Sequence, residues 1–152
     1  MWSMIIGSPV WLYMAGSGAL AGAALHIGVT LSGRADWVAY FRAPEVIVRS
    51  MRDGGLLGPV AGLMIGFLML MAGLYAFSAA GVLPRLPLQR TSVIVLAVIG
   101  LGRGLLLVPL IMLRPALLTR LPTFDWVASG IWLSIGLCYA VGAWQLVGRR
   151  GE

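Results

Sequence analysis

The sequence predicts an all-α fold: an integral membrane four-helix bundle with an amphipathic interfacial segment between helices 1 and 2. Hydrophobic residues make up 60% of the chain and charged residues 11%, where soluble domains carry roughly 45–50% and 25%. Mean hydropathy is +0.95. Four apolar segments recur along the 152 residues, each longer than the roughly 20 helical residues that cross a ~30 Å hydrocarbon core. Strands of that length would leave open edges in lipid, so helices are the economical solution. The whole chain, 1–152, reads as a single transmembrane domain without an internal repeat.

The first helix is expected over about 9–32, with Ser8 as N-cap and Pro9 at the first helical position. Met1–Val10 has no Arg or Lys and so lacks the positive start of a signal peptide. The small residues Ala19–Ala24 imitate a cleavage site, but they also suit a packed helix, so the segment is read as part of the mature protein. Helices about 56–82, 91–113 and 124–147 follow; Thr123 offers a cap to the last, and Asp125 suits its first turn. Leu83–Arg90 and Arg114–Thr123 are short, Pro-punctuated loops that tie antiparallel neighbours. Gly33–Gly55 differs: Trp37, Tyr40 and Phe41 share one helical face, Pro44 starts a second short helix and Gly54 stops it. This segment, about 35–53, is expected to lie at headgroup level or to tuck back as a lid.

Basic residues number 11, all Arg, against 5 acids, for a net charge of +6. The arginines sit mostly in loops, where they read as topology and headgroup anchors, and nucleic acid is excluded as a partner for want of a solvated basic face. Arg34, Arg42, Arg49, Arg52, Arg114 and Arg120 on one side outnumber Arg85, Arg90, Arg149 and Arg150 on the other, which favours the Gly33–Gly55 side as cytoplasmic. Trp2, Trp11, Trp37, Trp126, Trp132 and Trp144 fall mostly near helix ends, as an aromatic belt requires. The single cysteine, Cys138, allows no intrachain disulfide and reads as a core residue.

Small residues at four-residue spacing let membrane helices approach closely. Gly18 and Gly22, then Gly58, Gly62 and Gly66, then Gly100 and Gly104 are the expected packing positions. Continuing the first stripe by four reaches His26 and Thr30, so His26 should point inward. Arg103 lies midway along the third run, where a charged side chain costs at least ~2.5–3.5 kcal/mol to insert. It either clamps the bundle by bonding carbonyls and hydroxyls or has a ligand, substrate or proton-path role. Pro109 leaves the carbonyl of Leu105 without its helical donor, one acceptor nearby. Counting ~1.5 Å per residue, Tyr75, Tyr139 and His26 reach depths compatible with an inner polar set around Arg103. Each has a plainer reading as a packing or interfacial group. Glu45 stands at the mouth as a gate, or else is a first-turn carboxylate or an ion-pair partner of Arg42 or Arg49.

Much chemistry is missing. No HExxH, CxxC, GxSxG or phosphate-loop pattern occurs, and no metal site is expected. One histidine cannot supply both axial ligands of a haem unless chains pair. No cofactor is evident in these patterns.

The layout of four runs, the AALHIG end of the first, the WVAYFRAPE linker, and GLYAFSAAGVLPRLPLQR leading to GRGLLLVP resemble small bacterial membrane proteins of the DoxX-like kind. That resemblance implies a four-helix inner-membrane bundle, in some cases with redox or quinone-linked partners; it carries over no catalytic residues. The expected function is binding of an amphipathic ligand, lipid or quinone-like, in a pocket centred on Arg103, with His26, Tyr75, Tyr139 and Glu45, in a redox-associated or lipid-modifying role. A catalytic version would have His26 or Glu45 move protons, though no motif demands it. The alternative is a non-catalytic subunit of a larger membrane complex with Arg103 as a clamp; a transporter component is weaker, since the chain offers few coupling groups. Expected partners are membrane lipids and a membrane protein or a second copy of the chain.

Overall fold

The computed structural model describes residues 8–119 and 121–148, so expectations for Trp2, Arg120, Arg149 and Arg150 lie outside it. All regular structure among the described residues is helical: α1 Val10–Leu31, α2 Ala35–Tyr40, α3 Glu45–Arg52, α4 Leu57–Ala79, α5 Gln89–Leu105, α6 Leu107–Leu113, a 3-10 turn Pro115–Leu117, and α7 Thr123–Gly148. Four spans are long and apolar enough to cross a membrane: Val10–Leu31, Leu57–Ala79, Gln89–Leu113 and Thr123–Gly148.

Several boundaries differ from the sequence reading, each for a local reason. At the start of α1 the Pro9 carbonyl accepts from Leu12 N and Tyr13 N at 3.0 and 3.1 Å. Pro122 rather than Thr123 does the same for α7, accepting from Asp125 N at 3.0 Å. α4 stops at Ala79, three residues before the expected Val82. Gly81 takes φ +85°, and Val82 N and Gly81 N bond back to Phe77 O and Ser78 O at 3.0 and 3.1 Å, the paired bonds of a left-handed helix stop. The third span is interrupted at Leu106. Pro109 has no N–H for the Leu105 carbonyl, yet Leu106 keeps helical angles of φ −56° and ψ −31°, so the axis continues with a bond missing.

The chain packs as two compact units. The first takes its described residues from Met1–Gly18 and Ala72–Glu152, the second from Ala19–Met71. In the first, four helices share one core: Leu12 and Ala15 of α1, Ala76 and Ala79 of α4, Val93 and Ala97 of α5, and Cys138, Tyr139 and Ala143 of α7. α5 and α7 nearly touch through their backbones. A Cβ on Gly100 would lie 2.7 Å from Gly136 Cα, and one on Gly104 would lie 2.5 Å from Leu133 N. A Cβ on Gly18 would press on Ile135 at 2.9 Å. The Tyr139 hydroxyl donates to Ala72 O at 2.9 Å and Gln145 Nε2 to Ser8 O at 3.0 Å. Among the described residues, Ser129 Oγ is buried without a hydrogen-bond partner.

In the second unit, α1 and α4 pack through the glycine positions. A Cβ on Gly22, Gly62 or Gly66 would run into Met69, Thr30 or Ile27 respectively, and one on Gly58 would meet Met51. α2 and α3 complete this unit, with Val48 of α3 buried. Ser50 Oγ accepts from Gly58 N at 3.0 Å, which ties the end of α3 to the start of α4. Gly54 takes φ +69° just past α3, where the sequence places the stop. α2 ends in the same manner on a residue that is not glycine: Arg42 adopts φ +61°, with Ala43 N bonded to Val38 O at 3.3 Å. An L side chain pays roughly 1–2 kcal/mol for that conformation.

Candidate functional site

The second unit encloses a partly open cavity of about 180 Å³, lined by residues from α1 to α4 including His26, Thr30, Phe41, Pro44, Ile47 and Gly62. His26 comes to it because Gly22, His26 and Thr30 recur every four residues on α1, one stripe of a helix, and that stripe faces α4 where Gly22 meets Met69 and Thr30 meets Gly62. The segment between α1 and α4 covers the cavity: Val38 and Phe41 from the end of α2, then Ala43, Pro44 and Ile47. Of the aromatic trio, Trp37 and Tyr40 stay exposed while Phe41 lines the cavity.

The polar chemistry of the cavity is sparse. His26 Nδ1 lies 2.9 Å from Gly22 O. A carbonyl only accepts, so this nitrogen carries the proton, and in the neutral ring Nε2 is left as an acceptor. Thr30 Oγ1 donates to His26 O at 2.7 Å. Both side chains thus spend their donors on the backbone of α1. The other lining residues, Leu25, Val29 and Ile65 among them, are apolar or glycine. The site offers a ligand one nitrogen acceptor in apolar surroundings.

Glu45 is exposed on the first turn of α3, directly after the cavity-lining Pro44. In the same segment Arg34 and Asp36 form a salt bridge at 2.7 Å. The Arg34 hydrogen bond holds the Asp36 carboxyl below its usual range. Arg34 also lies over the Trp37 ring, 5.4 Å from its centre.

The other expected site residues belong to the first unit and have separate surroundings. Tyr139 is 2% exposed, and its hydroxyl is used on Ala72 O. Tyr75 donates to Pro87 O at 3.2 Å, in the loop before α5. Arg103 is exposed rather than turned into the unit, and makes no hydrogen bond or ion pair among the described residues. The buried stripe of α5 is Val93, Ala97, Gly100 and Gly104; at 3.6 residues per turn Arg103 projects about 90° away from it. Within the first unit Arg103 is therefore not the centre of an inner polar set with Tyr75 and Tyr139, and it is not among the residues that line the His26 cavity.

Sequence reasoning missed Phe41 and Ile47 as cavity residues, and Gly136 as the partner of Gly100. Gly136 lies four residues after Trp132 in a span dense with small residues, a signal too common to single it out. Among the described residues no three His, Cys, Asp or Glu side chains gather as a metal site would need. Compared with family models, curated proteins and solved structures, the chain matches none.

Proposed function

We infer that this protein is a small membrane protein that binds an amphipathic ligand, lipid or quinone-like, with the ligand's polar ring or head in the His26 cavity. The observation that carries the reading is the locked imidazole: Nδ1 is committed to Gly22 O, so the apolar cavity contains an acceptor suited to a hydroxyl. The volume of about 180 Å³ slightly exceeds the ~150 Å³ that accommodates a benzene ring, so one substituted ring fits and its tail leaves through the open side. A quinol or phenol head meets these terms better than a phosphate, since no cation lines the cavity. The DoxX-like reading of the sequence, with its bacterial inner-membrane setting and quinone-linked partners, agrees with such a ligand.

The test compares decylhydroquinone with its dimethyl ether on detergent-solubilised protein, followed by tryptophan fluorescence. The hydroquinone is expected to bind about tenfold more tightly, the worth of one buried hydrogen bond. His26→Leu removes the difference without unfolding the helices. Equal binding of the two compounds to the wild type refutes the reading.

The exposure of Arg103 favours a second reading, that of a non-catalytic subunit in a larger complex. A guanidinium ~21 Å along its span from Gln89 at ~1.5 Å per residue would need an acid, and the only described acid within the four spans is Asp125, in the first turn of α7. The partner would then be another membrane protein with a mid-span Asp or Glu, and Arg103 would clamp that interface rather than its own bundle. Arg103→Leu would leave the isolated chain folded and abolish the assembly; a chain that unfolds instead counts against this reading.

A further inference from the structure

The first unit carries a groove of about 880 Å³ where the loop after α4 meets the start of α5 and Leu146 of α7. We propose that this groove is a binding site for the phosphate head of an anionic phospholipid, held by Arg85 and Arg90. Both arginines line it, and neither makes a hydrogen bond or ion pair among the described residues. No Asp or Glu lines the groove. Asp125, the one described acid of this unit, precedes Leu146 on α7 by roughly 31 Å at ~1.5 Å per residue. Among the described residues no acid faces these two cations, and guanidinium groups bind phosphate oxygens through paired N–H donors.

The loop that bears Arg85 is fixed in place. Ser78 is 2% exposed; its Oγ donates to Pro84 O at 2.8 Å and accepts from Leu86 N at 3.1 Å. Tyr75 adds its bond to Pro87 O at 3.2 Å. The groove is therefore preformed, and its volume lies within the ~300–1,000 Å³ usual for ligand sites. Gln89 and Thr91 add polar groups beside the arginines, while Leu83, Leu88 and Leu146 supply apolar wall. That mixture suits an anion that carries its own hydrocarbon better than a free ion, which would leave the leucines facing water.

The test is native mass spectrometry of the detergent-solubilised full chain with dioleoyl phosphatidylglycerol or dioleoyl phosphatidylcholine. Phosphatidylglycerol is expected to bind about tenfold more tightly, the equivalent of one charge-assisted hydrogen bond. The double variant Arg85→Gln with Arg90→Gln loses that preference, whereas Arg114→Gln, in another loop, keeps it. A preference that survives the double variant overturns the proposal. Inorganic phosphate that displaces phosphatidylglycerol at millimolar concentration overturns the lipid assignment and leaves a free-anion site. If the double variant does not fold, phenylglyoxal labelling of the wild type decides: phosphatidylglycerol must protect Arg85 and Arg90 more than Arg114, and equal labelling refutes the site.

Discussion

Gly100→Ala tests the backbone contact between α5 and α7. The added Cβ would lie 2.7 Å from Gly136 Cα, 3.1 Å from Gly136 N and 3.5 Å from Trp132 O. Ordinary carbon contacts begin near 3.5 Å, so α5 and α7 must part by about 0.8 Å, and the atoms met are backbone atoms, which cannot swing aside. Overpacking of this kind costs roughly 1–3 kcal/mol. Gly102→Ala is the internal control, because a Cβ there meets nothing within 4 Å; it is expected to be neutral or to stabilise by up to about 1 kcal/mol through helix propensity. Reversible unfolding in mixed micelles, followed by circular dichroism, measures both. Gly136→Ala should resemble Gly100→Ala, and the double variant should cost less than the sum, since one separation of the helices relieves both clashes. Equal losses for Gly100→Ala and Gly102→Ala would refute the close approach.

Two further predictions concern polar groups. Ser129→Ala is expected to stabilise the protein by about 1 kcal/mol, since the hydroxyl is buried without a partner and the desolvation of such a group costs roughly 1–3 kcal/mol; the same unfolding assay checks the sign, and a loss of stability would mean that the hydroxyl is satisfied. Asp36 should titrate below the ordinary carboxylate range because Arg34 donates to it. Its folded value is depressed, so the contact is present above the unfolded pKa and is lost as pH falls through the folded one. Carbon-13 NMR should show the Asp36 carboxyl rising toward its usual range in Arg34→Gln.

The four spans were legible in the sequence because length and apolarity suffice to define them, and the α3 segment because Pro44 and Gly54 punctuate it. The facing of Arg103 was not. On α5 the exposed positions Ile94, Val95, Val98 and Ile99 are as apolar as the buried ones, so hydrophobic periodicity carries no information about inside and outside. What marks the inner face is size: Val93, Ala97, Gly100 and Gly104. Arg103 was placed by its chemistry, whereas the packing of its small neighbours decides its direction. His26 was easier, since it continues a stripe of small residues. The split between Phe41 and its aromatic neighbours was hidden because α2 ends at Tyr40, so helical spacing no longer governs the next side chain. The early stop of α4 had a visible signal in Gly81, outweighed by the apolar run that continues through Val82.

Polar side chains at the end of α1, and Ser32 just past it, are answered by their own segment. His26 bonds to Gly22 O, Thr30 to His26 O and Ser32 to Val29 O, and on α7 Ser134 bonds to Gly130 O in the same fashion. Each of these groups is answered by a carbonyl three or four residues back on its own rod. Such groups are satisfied before the helix meets any neighbour, so they ask nothing of the packing around them. The bonds that do join α7 to other segments run instead from Tyr139 to Ala72 O and from Gln145 to Ser8 O, and these ties, unlike the local ones, exist only once the helices have met.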